Sequence, residues 1–207
     1  MNQTEIPKPV AKRLPLYLHY LKSLSEAEGD TISSAAIARA LQLGEVQVRK
    51  DLALISGAGR PKIGYRRREL TEHIARALGV SDTAKGAVVV GMGRLGSALL
   101  SYPGFAEYGL SIQAAFDNDP LKMGKTEAGI PVLPVDTLSG YCRDNDIRIG
   151  IITVPEPSAR EVYATLAGCG IQAVWNFAPC RLEPTEGVAV RNENMAASLA
   201  VLCADVT

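Results

Sequence analysis

The sequence has 207 residues, 47% of them apolar, with 22 basic and 22 acidic side chains. That is room for one large domain or two small ones, and it excludes a disordered chain. The zero net charge is a cancellation: residues 1–80 hold 13 Lys/Arg against 8 Asp/Glu, and residues 81–207 hold 9 against 14. The two halves therefore do different work, and the first is the candidate partner of a polyanion.

No apolar run approaches a membrane span and the N-terminus carries no signal pattern, so a cytoplasmic protein is expected. Cys142, Cys169, Cys180 and Cys203 are scattered without a C-x-x-C and read as core or surface thiols. The only histidines, His19 and His73, stand in no metal-ligating constellation, so no metal is expected.

Met1–Lys8 reads as a loose tail. Leu14, Tyr17, Leu18, Leu21 and Leu24 recur at helical spacing and predict an amphipathic helix, with Pro15 tolerable only near its first turn. Thr31-Ile32-Ser33-Ser34 supplies N-cap residues for a short helix carrying Ile37 and Leu41. Leu43-Gly44 ends it, and Glu45–Ile55 predicts a third helix, completing a helix-turn-helix pattern.

On that third helix Val48, Leu52 and Ile55 form the inward stripe, which turns Val46, Lys50 and Ala53 outward with Gln47 and Arg49 on the flanks. Such a face suits the major groove: Lys50 or Arg49 donates to guanine, Gln47 pairs with adenine, and Val46 meets a thymine methyl. Residues 56–65 form a Gly-rich basic hairpin that includes Arg60 and Lys62, a wing for phosphates or the minor groove. Arg66-Arg67-Arg68 adds charge at the entry to a further helix, Glu69–Leu78, and phosphates are the expected targets.

The second half opens, after a short polar boundary at 79–86, on Ala87-Val88-Val89-Val90-Gly91-Met92-Gly93-Arg94-Leu95-Gly96. A β-branched run leading through G-x-G-x-x-G into a helix is the dinucleotide fingerprint. Gly91 permits the tight turn, Gly93 lets the backbone approach a pyrophosphate, and Gly96 allows close helix–strand packing. Asp117 ends the next apolar run, placed to accept from the adenosine ribose hydroxyls and so to favour NAD(H) over NADP(H). Strands follow at Ile130–Leu133, Ile147–Val154 and Ile171–Trp175, with helices at Val135–Arg143 and Ser158–Ala167. This alternation predicts a Rossmann-like doubly wound parallel sheet, with Val154-Pro155 and Asn176–Pro179 at the carboxyl ends of strands where ligands bind.

A nicotinamide dehydrogenase needs an acid–base group beside the hydride path, yet this half has no histidine. The chain therefore reads as a nucleotide-sensing protein with no catalytic residue. A small NAD-dependent oxidoreductase with a helical accessory domain is the alternative. A scaffold that holds nucleotide structurally is a third. Near the C-terminus Met195, Leu199 and Leu202 mark an apolar helix with Asn192 as its N-cap, docked on its own sheet or exchanged onto a partner subunit.

Taken together, Arg13-Leu14-Pro15, Ser33-Ser34, residues 47–52, Gly64-Tyr65, Gly91–Gly96, Tyr102-Pro103-Gly104-Phe105, Phe116-Asp117 with Asp119-Pro120, Val154-Pro155 and Asn176-Phe177-Ala178-Pro179 resemble the Rex redox-sensing transcriptional repressors. The resemblance implies a winged-helix domain over 1–80, a Rossmann NAD(H)-binding domain over 81–190, and a domain-swapped dimerisation helix over 191–207. It implies a homodimer on palindromic double-stranded operator DNA, with NADH closing the dimer and releasing the duplex while NAD⁺ is compatible with binding. Cofactor contacts are expected at Gly91, Met92, Gly93, Arg94, Leu95, Gly96, Tyr102, Asp117, Val154, Pro155, Asn176 and Phe177. DNA contacts are expected at Arg13, Gln47, Arg49, Lys50, Arg60 and Lys62. The chain departs from the family at Asn194-Met195, where Asp-Phe is usual, at His19 in place of an arginine, and in the wing at Ile55-Ser56 and Pro61-Lys62.

Overall fold

A computed structural model describes residues 6–25, 27, 29–80, 84–126, 129–204 and 206. Most of the expected N-terminal tail and the middle of the 79–86 boundary lie outside the described residues. The chain divides into two units, Met1–Asp82 and Thr83–Thr207, each with its own core.

In the first unit, helix α1 spans Lys8–Ser23 and buries Leu14, Tyr17, Leu18 and Leu21, the stripe read from the sequence. It begins earlier than the apolar spacing suggested, so Pro15 lies in its interior rather than its first turn. The helix forgoes one backbone hydrogen bond there, and the buried stripe running past Pro15 compensates. Strand β1 (Thr31–Ile32) leads to α2 (Ser34–Ala40), whose N-cap Ser33 accepts from the Ala36 N–H at 3.1 Å.

The turn after α2 is closed by Gln42, which takes φ +54° while Leu43 N–H returns to Ala38 O at 2.8 Å. That is the Schellman pattern with glutamine in the left-handed position. Gly44, expected to break α2, instead caps α3 (Glu45–Ser56). Strand β2 (Tyr65–Arg66) pairs antiparallel with β1, and α4 (Arg67–Ala77) completes the unit. Fully buried Leu14, Tyr17, Ile37, Val48, Leu52, Leu70 and Ile74 hold the helices together, each aliphatic contributing about 1.5–3 kcal/mol by leaving water.

The second unit is a seven-stranded sheet of order β5-β6-β4-β3-β7-β8-β9, parallel except for β5. The strands are β3 (Lys85–Val90), β4 (Leu110–Asp117), β5 (Gly124–Lys125), β6 (Pro131–Pro134), β7 (Ile149–Ile152), β8 (Ala173–Asn176) and β9 (Ala189–Asn192). Helices α5 (Arg94–Leu100), α6 (Leu138–Asp144) and α7 (Glu156–Ala167) connect them.

Alternation along β3 sends Val88 and Val90 to one apolar layer and Val89 to the other. The chain runs outward from β3 through β4 to β6, then returns to lay β7 on the other side of β3. The carboxyl ends of β3 and β7 therefore form the topological switch point, where such sheets bind ligands. Strand β9 was not anticipated, because Ala189-Val190-Arg191-Asn192 carries a single large aliphatic residue and stands at a half-solvated edge. It carries the sheet past residue 190 to Asn192.

Helix α8 (Met195–Ala204) follows and buries none of its side chains. Its N-cap is Asn194, whose side chain accepts from Ala197 N–H at 2.9 Å. Asn192, expected in that role, instead spends its side chain on Leu182 and Asn176.

Candidate nucleic-acid interface and dinucleotide site

Helix α3 turns Val48, Asp51 and Leu52 inward and leaves Val46, Gln47, Arg49 and Lys50 exposed. The wing is a tight turn: Arg60 and Gly64 exchange both backbone hydrogen bonds, 2.8 and 2.9 Å. Gly64 takes φ +84°, and a Cβ there would stand 2.3 Å from Ile32 O, so only glycine lets the wing lie against β1. Arg60, Lys62 and Ile63 are exposed at its tip. In the Arg66-Arg67-Arg68 run, Arg66 pairs with Glu69 and Arg68 with Glu72 on the surface, and Arg67 donates to Ser25 O at 2.7 Å.

Beneath the outward face of α3 lies a polar cluster that the sequence reading missed. Arg13 of α1 grips both oxygens of Asp51, Nε to Oδ2 at 2.7 Å and Nη2 to Oδ1 at 2.9 Å, and the buried Tyr17 hydroxyl donates to Oδ2 at 2.7 Å. Burial, then the Asp51 carboxylate, pushes the Tyr17 phenol up to about 12. Arg13 is thus committed largely to the protein, not held free for DNA. One clue was available: Asp51 is a charged residue standing within an otherwise apolar stripe.

In the second unit the three glycines of the fingerprint have three distinct reasons. Gly91 takes φ +102°, and a Cβ there would lie 2.9 Å from Val154 N. A Cβ on Gly96 would meet Gly91 O at 2.0 Å, so α5 packs on the turn only without a side chain. Gly93 has open space where its Cβ would be, and it is exposed together with Arg94. The Thr153 hydroxyl donates to Gly91 O at 2.6 Å, pinning the turn to the end of β7. Met92 is buried and Leu95 half-buried under the loop.

Asp117 closes β4 with a buried carboxylate. Oδ2 accepts from Met92 N–H at 2.6 Å and from Lys122 Nζ at 3.0 Å, and Oδ1 accepts from Asp119 N–H at 2.9 Å. Burial alone would raise its pKa, but the Asp119 and Met92 N–H groups and the Lys122 ammonium outweigh burial and hold it below the ordinary carboxylate value. An ionised carboxylate has about four acceptor sites, so a ribose diol accepted in full must displace one donor. Lys122, on a partly exposed side chain, is the one able to leave.

Val154 and Pro155 stand at the end of β7, half-buried and exposed. Phe177 ends an aromatic run the sequence did not reveal: Tyr102–Phe105, Phe105–Trp175 and Trp175–Phe177, with ring centroids 5.1, 6.1 and 4.5 Å apart. Tyr102 is the exposed end of that run. Asn176 lies beneath the site rather than in it. Fully buried, it accepts from Ala178 N–H and donates to Cys180 O and Asn192 Oδ1, shaping the loop that carries Phe177.

Residues 5–53 match a family described as putative DNA-binding protein N-terminus, and residues 82–180 a family described as CoA binding domain. The redox-sensing transcriptional repressor Rex of Desulfitobacterium hafniense is 41% identical over 100% of this chain and 98% of its own length. That of Streptomyces coelicolor is 38% identical over 95% of this chain and 76% of its own. Among solved structures, RSP in complex with β-NAD⁺ and operator DNA superposes with TM-score 0.90 at 29% identity, covering 99% of this chain and 94% of that one. RSP with β-NADH gives 0.84 at 29% identity, covering 99% and 95%. With an exposed basic reading helix in one unit, a glycine turn and buried acid in the other, and full-length relatives of one kind, the chain belongs to the Rex family of redox-sensing transcriptional repressors.

Proposed function

We propose that this chain represses transcription by holding operator DNA through α3 and the 60–64 turn, and lets go when NADH fills the loop between β3 and α5. The carrying observation is the likeness, along 99% of this chain, to a repressor crystallised with both NAD⁺ and operator DNA. The residues fit the cofactor: the open space at Gly93 admits a pyrophosphate, and Asp117 faces the ribose position once Lys122 gives way. Gln47, Arg49 and Lys50 read the major groove, and Arg60 and Lys62 meet phosphates.

NAD⁺ and NADH differ by one positive charge on the nicotinamide ring. Val154, Pro155 and Phe177 offer mainly apolar surface, so burying the cation there costs more than burying the neutral reduced ring. A ligand moves a two-state equilibrium only by its differential affinity, and going from 1:99 to 99:1 takes about 5.5 kcal/mol.

The chain acts as a regulator and not as an enzyme on this reading, and it works where the chromosome is, in the cytoplasm. It works as a homodimer whose contact includes α8. Met195, Leu199, Val201 and Leu202 are 59–70% exposed on a ten-residue apolar helix. A continuous apolar face of that kind calls for a covering surface, and a partner subunit supplies it by exchange.

The test is a fluorescence-anisotropy titration on a duplex that the protein itself selects from a randomised pool. NADH should weaken binding at least about tenfold more than NAD⁺, a difference of about 1.4 kcal/mol. Equal effects of the two nucleotides would overturn redox sensing.

A further inference from the structure

We infer that Arg13 and Asp51 set the base preference of the reading helix by fixing which way the Gln47 carboxamide points. This rests on the assignment of Gln47 to the DNA-reading face and deepens it. Asp51 is nearly excluded from solvent, and with two donors from Arg13 and one from Tyr17 it holds the guanidinium plane in one orientation. An arginine fork gripped along one edge presents its remaining N–H groups in a fixed direction.

Those groups meet Gln47, one turn before Asp51 on α3. With its oxygen toward the guanidinium, the Gln47 carboxamide accepts from Arg13 Nη1 at 2.9 Å, while Nε, 3.2 Å away, keeps its single proton on Asp51. The opposite orientation would set amide N–H against guanidinium N–H, donor against donor. The oxygen is then turned to the protein side and held there by Nη1, and the NH₂ faces outward as the donor.

That polarity has a consequence for readout. A free glutamine pairs with adenine because its oxygen accepts from N6 while its NH₂ donates to N7. With the oxygen withheld, the match to adenine is lost. Guanine, which offers the adjacent acceptors N7 and O6, becomes the favoured partner. The adenine pairing expected from residue type alone is thereby reversed by a contact 34 residues away in sequence. Asp51 and Tyr17 are positioning residues here, since neither touches a base; they act through Arg13.

The experiment is selection of bound duplexes from a randomised palindromic pool by the full-length protein and by its Gln47→Ala, Arg13→Met, Arg13→Lys and Asp51→Asn variants. NADH binding and thermal melting identify any variant that fails to fold. Wild type should prefer guanine at one position of each half-site. Gln47→Ala should lose the preference at that position alone. Arg13→Met, which frees the carboxamide, should move it toward adenine by at least tenfold in relative enrichment. Arg13→Lys, which keeps the charge but not the fork, and Asp51→Asn, which loosens the grip, should shift it the same way by less. A uniform loss of affinity in folded Arg13 and Asp51 variants with the guanine preference intact would overturn the positioning role while leaving Gln47 as a base reader. An unchanged selection with Gln47→Ala would overturn the base-reading assignment, and the inference with it.

Discussion

The two units each place one buried carboxylate under their working face, and the two are held in opposite ways. Asp51 and Asp117 each have side chains only 5% exposed. Asp51 is filled by side chains from another helix: a two-pronged arginine and a buried tyrosine hydroxyl. Asp117 is filled by two backbone N–H groups and a single lysine that is 39% exposed. A carboxylate locked by a fork is a fixed part of the scaffold. One closed by a mobile ammonium can exchange that donor for a ligand hydroxyl. On the proposed function, the DNA-facing surface is thus built for one geometry, and the nucleotide-facing one is built to be reopened.

If that contrast is right, the largest effect belongs to Asp51→Ala. It strands the Arg13 guanidinium and the Tyr17 hydroxyl, and should cost about 3–5 kcal/mol in denaturant unfolding. The loss should fall on the first unit: Trp175, the one tryptophan, lies in the second and should report an unshifted transition.

Next comes Gly96→Ala, which drives a methyl into Gly91 O and should destabilise the second unit by about 3 kcal/mol. Its companion Gly93→Ala meets no atom within 4 Å, so melting should stay put. NADH affinity should nevertheless fall at least about tenfold, near 1.4 kcal/mol, because the backbone can no longer approach the pyrophosphate. Equal melting losses for the two alanines would erase the distinction between a packing glycine and a binding one.

Lys122→Ala sharpens the contrast from the weak side, since a half-exposed ion pair should contribute less than about 1 kcal/mol to stability. A loss as large as that of Asp51→Ala would mean Lys122 is a lock and not a gate.

The last two effects appear only at opposite ends of the pH scale. Asp117 has its carboxyl held below the ordinary value, so its contribution is present above the unfolded pKa and is lost as pH falls through the depressed folded one. Tyr17 is pushed up to about 12, so its contribution is complete below the ordinary phenol range near 10 and is lost as pH rises through the folded value. Tryptophan fluorescence should accordingly register the acid limb, while far-ultraviolet dichroism registers the alkaline loss of the first unit.

Much of the candidate site's backbone geometry was legible where its logic is local. The glycine spacing 91-93-96 and the acid ending β4 announced a nucleotide turn, because a tight turn and a helix start are decided by residues within one loop. The outward face of α3 followed from helical periodicity for the same reason. What escaped the sequence were partnerships across distance. Arg13 and Asp51 lie 38 residues apart, Thr153 reaches back 62 residues to Gly91, and Asn176 meets Asn192 across the β8–β9 edge. Lys122, only five residues past Asp117, was open to notice but carries no signal of its own until the turn brings its ammonium onto the carboxylate.

Sequence alone determined the division of labour: a basic helical half, a parallel sheet with a phosphate-ready turn, and an apolar terminal helix. These depend on periodicity, glycine conformation and charge, which act over a few residues. Tertiary structure alone decided which polar groups are spent on the protein and which remain for a ligand. A hydrogen bond consumes a lone pair or a proton wherever its partner comes from, and only the packed fold says who that partner is.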